Sequence, residues 1–448
     1  MKTGISPART AAYKILFDVM EKKAFSNIAV NKHIDINMKN PADRKLATAI
    51  VYGTLKKKNR LAGILSPLAK NGWESIEPGA RVLLMMSLYQ LMYMTKQPKY
   101  AVCNDAVNIC KYNVSHGSAG VVNGILRRVT SDPVYTQKRR EEDFAEYIRM
   151  EYGIERFVYE VFSKSYSDEE IEALLMEFER PSRVYVKVNT LRTTPEALSE
   201  ELTELGYKVR EVYVPGMLEI DGGSNVFLTK PFKEGKFYAQ DLSGGILPFV
   251  LGCKDGQKVI DLCAAPGAKS FGAALSAKDL SVTSCDISAK KLELVKRTAM
   301  QLGLENIKAF KRDGRYVREG EEGMYDRVIC DVPCSGLGVA GRKPEILYNV
   351  TRDYIDTLVN LQREILKSGF SYLKKGGILI YSTCTLNREE NEDTVRFALE
   401  NIPGIESVPV SLPFELKCEH EEMKEGYLRL SPHKDNTDGF FIAAFRKV

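Results

Sequence analysis

The stretch Val259-Ile260-Asp261-Leu262-Cys263-Ala264-Ala265-Pro266-Gly267-Ala268-Lys269 decides how the rest of the chain is read. It opens with a short apolar run of the kind that forms a buried strand. A tight turn of small residues follows and leads into a helix. Strand, turn and helix are the first half of a parallel crossover unit, and in such sheets ligands settle beyond the carboxyl ends of the strands. Small side chains at that point let a ligand lie against the backbone. Gly267 is the only glycine of the turn, so the G-x-G-x-x-G cradle of a dinucleotide is absent and a pyrophosphate ligand is not expected.

Toward the C-terminus, apolar runs at 280–285, 307–310, 328–330 and 378–381 alternate with helical patterns, which predicts an α/β, Rossmann-like parallel sheet. The strand ends carry chemistry. Asp286 closes the second run, where a carboxylate can accept hydrogen bonds from both hydroxyls of a ribose. Asp313 follows the third, placed to meet an adenine edge. Either aspartate alone reads as a helix N-cap, but their recurrence at successive strand ends favours a ligand role. The fourth run ends in Asp331-Val332-Pro333-Cys334-Ser335-Gly336, and the fifth in Ser382-Thr383-Cys384-Thr385, followed by Glu389 and Glu390. Two thiols at neighbouring strand ends can face one cavity. Cys253, Cys285 and Cys330 read as buried structural cysteines.

Toward the N-terminus the pattern changes twice. Residues 183–237 open with Val184, Val186 and Val188 in β alternation, then a helix over 195–205 and short strands, a small α/β subdomain. Residues 141–182 are acidic and helical, a connector. Residues 1–140 read as an all-α bundle, which leaves 238–448 as the last domain of a multidomain chain. Pro7 suits the first turn of a helix, Ser26 suits the N-cap of a second, and a third spans about 42–65. A fourth follows Pro78 and is apolar nearly all round, hence core; two more cover about 102–112 and 119–129.

Charge separates the two ends. The net charge of the 448 residues is +5, but residues 1–140 carry 23 Lys and Arg against 8 Asp and Glu. That excess, clustered at Lys56, Lys57, Lys58 and Arg60, at Arg127 and Arg128, and at Lys138, Arg139 and Arg140, suits a polyanion such as nucleic acid. No basic face is paired with an exposed apolar stripe, which argues against a membrane surface. The longest apolar stretch, 82–94, is broken by Ser87 and Gln90 and falls short of the roughly 20 residues that span a bilayer. No secretory signal is visible, and a cytoplasmic location is expected. Nine cysteines without a C-x-x-C pair suggest reduced thiols, and His33, His116, His420 and His433 are too dispersed to predict a metal site.

Residues 183–448 resemble the RNA 5-methylcytosine methyltransferases of the Sun/NSUN family, and residues 1–140 resemble the NusB-type RNA-binding fold. The strongest matches are the turn from Cys263 through Lys269, the Asp331-to-Gly336 run and Ser382-Thr383-Cys384. Asn189-Thr190-Leu191-Arg192, Gln240-Asp241 and Asp438-Gly439-Phe440-Phe441 support them, as does Val121-Val122-Asn123-Gly124-Ile125-Leu126-Arg127-Arg128 in the helical part. The resemblance implies a monomer that methylates carbon 5 of a cytosine in small-subunit ribosomal RNA. It implies that S-adenosylmethionine is held by Cys263, Ala264, Ala265, Pro266, Gly267, Ala268, Lys269, Asp286, Asp313 and Asp331. The chain departs from the usual family turn at Ala268, where glycine is common, and at Ser270, where threonine is common.

Such a reaction needs a nucleophile. Carbon 5 of cytosine attacks a sulfonium methyl only after a thiolate has added at carbon 6. Charge then gathers near ring nitrogen 3, where the Asp331 carboxyl would stabilise it. Spacing does not choose between the two thiols. The family resemblance assigns attack to Cys384 and an assisting role in product release to Cys334, whereas DNA cytosine methyltransferases attack from a turn like Pro333-Cys334. A competing reading is an antitermination-type RNA-binding protein with a vestigial methyltransferase half; the intact set Asp286, Asp313, Asp331, Cys334 and Cys384 argues against it. Arg192 is expected either to grip RNA backbone or to form a surface salt bridge.

Overall fold

A computed structural model describes residues 4–35, 38, 40–94, 96–131, 142–221 and 224–448. The chain divides into two compact units, Met1–Glu179 with Arg342–Val350, and Arg180–Gly341 with Thr351–Val448.

The first unit is helical, as expected. Its first helix, Pro7–Met20, has proline in the opening turn, and the Ser6 hydroxyl accepts from Arg9 N–H. Pro78–Tyr93 is buried on nearly every side and forms the centre of the core with Leu16, Ile50, Leu55 and Ile109. Lys99–Asn113 and His116–Ser131 complete the bundle. Two expectations need correction. The helix predicted over 42–65 is two helices, Pro41–Lys56 and Lys58–Leu65, because Lys57 leaves helical geometry (ψ 14°). Ser26 is the first residue of its helix rather than the cap; its N–H donates to the Glu345 carboxylate at 2.8 Å.

The acidic residues after 141 are no free connector. They form Phe144–Tyr152, Arg156–Phe162 and Asp168–Glu179, and these belong to the first unit. The reason is electrostatic. Lys57 pairs with Glu151 and Glu179, Arg60 pairs with Glu151, and the Lys56 ammonium donates to the Phe178 carbonyl at 2.7 Å. Lys58 lies 4.0 Å over the Tyr348 ring. Burial lowers the Lys56 pKa to about 8. The basic cluster read as a nucleic-acid contact is therefore used internally, whereas Arg127 is exposed. The Lys138-Arg139-Arg140 cluster and the expected boundary at 140 lie outside the described residues.

The second unit holds two sheets. Strands β1 (Val184–Val188), β2 (Lys208–Glu211), β3 (Met217–Asp221) and β4 (Phe237–Ala239) pair antiparallel in the order β2-β3-β1-β4, with helix Pro195–Glu204 in the same subdomain. The larger sheet contains β5 (Lys258–Asp261), β6 (Ser281–Asp286), β7 (Ile307–Lys311), β8 (Tyr325–Asp331), β9 (Leu373–Thr383), β10 (Ile405–Ser407), β11 (Tyr427–Leu430) and β12 (Phe440–Lys447). Its order is β10-β12-β9-β8-β5-β6-β7, with β11 added to β12. From β7 to β9 every pair is parallel, so the five expected strands form the expected sheet. The last three strands were not anticipated. Strand β12 runs antiparallel to β9, setting Phe441 opposite Thr383 and Ile442 opposite Ser382. Among the described residues no helix is long and apolar enough to cross a membrane.

Candidate active site

Strand order reverses at β5, where β6 lies on one side and β8 on the other, so the carboxyl ends of β5, β6, β8 and β9 open around one crevice. At the end of β5, Asp261 is fully buried. One carboxylate oxygen accepts from Cys263 N–H at 3.3 Å and the other from the Ser270 hydroxyl at 2.8 Å, which in turn contacts Ser284 Oγ at 2.8 Å. A hydroxyl is what position 270 requires, and serine supplies it as threonine would. Burial, reinforced by the charge of Asp331, raises the Asp261 pKa to about 7. Gly267 has φ +118°, and a Cβ there would meet the Phe271 ring at 2.3 Å, so only glycine fits. Ala268 begins helix Ala268–Ala274 and has no positive φ, so its extra methyl is tolerated.

Asp286, at the end of β6, accepts from Ser288 N–H through Oδ1 at 2.8 Å. Among the described residues Oδ2 takes no hydrogen bond, which leaves it available to ligand hydroxyls. Beyond β7 the picture differs from expectation. Asp313 is held by the Arg315 guanidinium through both oxygens, at 2.6 and 3.0 Å, and this pairing lowers its pKa.

Asp331 ends β8. Its Oδ1 accepts from the Ser382 hydroxyl at 2.8 Å, and its Oδ2 lies 2.7 Å from the Lys269 ammonium. The β5 turn, β8 and β9 thus converge on one ion pair. Burial works to lower the Lys269 pKa, but the Asp331 carboxylate outweighs it, with help from Cys384, and the ammonium is held above its usual range. A cation is thereby kept beside the Cys384 sulfur.

The two thiols do face each other. Cys334 Sγ and Cys384 Sγ are 3.2 Å apart, and Cys384 N–H donates to the Cys334 sulfur at 3.3 Å. The hydrogen bond to Cys384, then burial, then the charges of Cys384 and Glu390 raise the Cys334 pKa well above that of a free thiol. Within the pair one sulfur donates to the other.

What fixes the two turns is a residue to which sequence reading gave no role. Glu390 is fully buried and accepts from Ser335 N–H (2.8 Å), the Ser335 hydroxyl (2.5 Å), Gln362 Nε2 (2.9 Å) and Asn387 Nδ2 (3.1 Å). Gln362 Nε2 also donates to the Pro333 carbonyl, and Ser335 Oγ meets Thr385 Oγ1 at 2.7 Å. The Pro333-Cys334-Ser335 and Thr383-Cys384-Thr385 turns are therefore tied through one carboxylate. The signal in the sequence was Ser, Thr, Asn and Glu clustered around both cysteines, residue types that form satisfied buried networks. Below Cys384, Gly338 N–H donates to the Cys384 carbonyl, and Gly439 N–H donates to the Gly338 carbonyl at 2.9 Å. A Cβ on Gly439 would lie 2.6 Å from Gly338 Cα, which explains the glycine of Asp438-Gly439-Phe440-Phe441.

Other predicted residues have structural duties. Asn189 is buried and donates to the Gly235 and Leu302 carbonyls, each at 2.8 Å. Arg192 pairs with no acid among the described residues; its Nε donates to the Leu302 carbonyl at 3.2 Å. Cys285 and Cys330 are fully buried, as expected, but Cys253 is only partly so. Burial pushes the Cys263 thiol well above its usual pKa, so a third reactive thiolate is absent from the β5 turn.

Two family descriptions match the chain: "16S rRNA methyltransferase RsmB/F" over residues 248–446 and "NusB family" over residues 6–131. A probable ribosomal RNA small subunit methyltransferase B of Bacillus subtilis is 32% identical over 98% of this chain and 98% of its own length. A protein of the same name from Synechocystis is 29% identical over 98% of this chain and 99% of its own. The crystal structure of a methyltransferase homolog protein from Pyrococcus horikoshii, 28% identical, superposes with a TM-score of 0.58 over 66% of this chain and 96% of its own.

Proposed function

The chain belongs to the RsmB/F family of 16S rRNA methyltransferases, and from that membership and the geometry of its two thiols we propose that it methylates carbon 5 of a cytosine in small-subunit ribosomal RNA through a transient bond to Cys384. The observation that carries this reading is the 3.2 Å sulfur pair at the ends of β8 and β9, which brings both thiols the reaction needs to one point of the crevice. The Lys269 ammonium beside Cys384 supports the same assignment, because a nearby cation favours a thiolate.

The donor set of the crevice fits S-adenosylmethionine. Asp286 Oδ2 is available to ribose hydroxyls, and the turn Cys263, Ala264, Ala265, Pro266, Gly267, Ala268 offers small side chains and backbone to a nucleoside and its amino-acid tail. Contact of Asp313 with adenine requires it to share an oxygen now held by Arg315. When bound, S-adenosylmethionine supplies an electrophilic methyl.

The chain's own residues do the rest. Cys384 adds to carbon 6 of the cytosine, and negative charge develops at the ring nitrogen side. The Asp331–Lys269 pair stabilises that edge by hydrogen bonding. Carbon 5 then takes the methyl. Once Cys384 is a thioether its hydrogen bond with Cys334 is lost, and with it the largest influence raising the Cys334 pKa. Cys334 loses its proton to solvent, removes the one on carbon 5, and Cys384 leaves as thiolate. A base inside a helix must first be turned out of the stack, so a loop or single-stranded cytosine is the easier substrate.

The test uses RNA carrying 5-fluorocytosine, whose fluorine blocks the elimination. A covalent complex that Cys384→Ala abolishes and Cys334→Ala preserves is expected. The reverse dependence would move the nucleophile to Cys334, and no adduct at all would leave the antitermination-type binding role as the better reading.

A further inference from the structure

Away from the crevice, a second cluster of ligand-type side chains closes the segment between β10 and β12. Cys418 Sγ lies 3.3 Å from His420 Nε2 and 3.1 Å from Asp435 Oδ1, and His420 Nε2 lies 3.0 Å from the same oxygen. The three atoms form a nearly equilateral triangle, and the side chains of His420 and Asp435 are 6% and 1% exposed. Around this triangle the partners are already arranged. His420 Nδ1 faces Glu422 Oε1 at 3.0 Å, and Asp435 Oδ2 accepts from Ser431 N–H at 2.7 Å.

Protons satisfy the triangle only in part, because one of its three edges is always left without a strong contact. With Nδ1–H directed at Glu422, the neutral ring presents a lone pair at Nε2, and that lone pair meets a carboxylate oxygen with nothing between them. With a proton on Nε2 as well, the imidazolium and the Cys418 thiol both donate to Asp435 Oδ1, and the Cys418–His420 edge is left with only the weak acceptor lone pairs of sulfur. With Cys418 ionised, sulfur and carboxylate meet as two anions. A cation at the centre satisfies all three edges at once. Tetrahedral zinc with one sulfur, one nitrogen and one oxygen ligand needs edges of about 3.4–3.6 Å, a few tenths of an ångström more than the present ones, so modest outward relaxation admits it. The Nδ1–carboxylate contact is the orienting partner that metal-bound histidines usually have. Nearby, the Tyr213 hydroxyl is sealed from solvent without a hydrogen-bond partner among the described residues, and it senses the charges of Asp435 and Cys418.

We propose that Cys418, His420 and Asp435 form a binding site for a zinc-class divalent cation, with a water or other small ligand in the fourth position. Sequence reading missed it because it looked for paired cysteines and neighbouring histidines, whereas this site takes one ligand of each kind, the last from the turn before β12. Its role is structural. The cation ties the irregular chain before β11 to the turn that enters β12, and β12 pairs with the end of β9 that leads to Cys384.

The test uses the full chain, stripped with a chelator under reducing conditions and titrated with Co(II). One equivalent should give the visible d–d bands of a tetrahedral centre and a thiolate-to-cobalt charge-transfer band, both displaced by Zn(II). Cys418→Ser should remove the charge-transfer band. Glu422→Gln, which keeps all three ligands, should weaken affinity roughly 10-fold or more. Zn(II) should raise the melting temperature of the parent and leave Cys418→Ser unmoved. Absence of the bands overturns the proposal. So do bands that survive Cys418→Ser and vanish with Cys384→Ser, which would put the metal on the catalytic thiols.

Discussion

Removing the Glu390 carboxylate should loosen both cysteine turns together, and the structure gives the size of the effect. Glu390→Ala leaves Ser335 N–H and Asn387 Nδ2 without the carboxylate they share, while Gln362 Nε2 keeps the Pro333 carbonyl and the Ser335 hydroxyl keeps Thr385. Each stranded buried donor costs about 1–3 kcal/mol, and water entering the space relieves part of that, so a net loss of about 4 kcal/mol is expected. For a unit of this size that lowers the melting temperature by about 8–16 °C. Glu390→Gln keeps one accepting oxygen and turns the other position into a donor facing Asn387. It should cost only about 1–2 kcal/mol, or about 2–8 °C. The rate of adduct formation with 5-fluorocytosine RNA should fall in the same order, because a displaced nucleophile loses rate steeply. Melting curves and denaturing-gel adduct assays on the two variants decide the matter. If Glu390→Ala melts within about 2 °C of the parent and forms adduct at the parental rate, the carboxylate does not hold the turns and the reasoning fails.

Cys334→Ala with ordinary RNA and S-adenosylmethionine should accumulate protein–RNA adduct that the parent resolves, visible as a shifted band; prompt release would deny Cys334 a part in elimination. Asp286→Asn, which retains the Ser288 contact but loses the charge, should weaken S-adenosylmethionine by about 2 kcal/mol, roughly 30-fold in Kd by calorimetry. Asp261 has a folded pKa of about 7 against 3.8 unfolded, so between those values the folded chain binds the extra proton and stability falls as pH rises. Asp261→Asn lacks that proton site, and its melting temperature relative to the parent should climb from pH 4 to 8 by the equivalent of a few kcal/mol, about 3; a pH-independent difference would contradict the assignment. RNA affinity should drop steeply with salt if basic side chains supply phosphate contacts, and a flat salt dependence would speak against them.

The parallel sheet was legible because each of its strands is a short apolar run ending in a residue of unusual type, and periodicity of that kind survives in a single sequence. Strand β12, Phe440-Phe441-Ile442-Ala443-Ala444-Phe445, is an apolar run of the same kind, but it pairs antiparallel and follows only the short helix Pro432–Asp435, so it stands outside the strand–helix alternation that marks the parallel strands. Asp286, Asp331, Cys334 and Cys384 were legible as strand-end residues. The pairing of Lys269 with Asp331, the commitment of Asp313 to Arg315 and the clamp at Glu390 were not, since they depend on which side chains meet across loops far apart in sequence. The break at Lys57 is a tertiary effect of the same kind: its side chain is drawn to Glu151 and Glu179.

The docking of the acidic helices on Lys56, Lys57 and Arg60 bears on how the helical unit is to be handled alone. A fragment cut near residue 140 would lack Glu151, Glu179 and the Phe178 carbonyl, so two cations now paired with carboxylates and a third now held by carbonyls would face solvent. It would bind RNA more tightly than the intact enzyme does on that face, through contacts the enzyme never makes. Dissection at residue 179 keeps those charges answered but uncovers Lys58 and Ser26, which in the intact chain meet Tyr348 and Glu345 of the 342–350 segment.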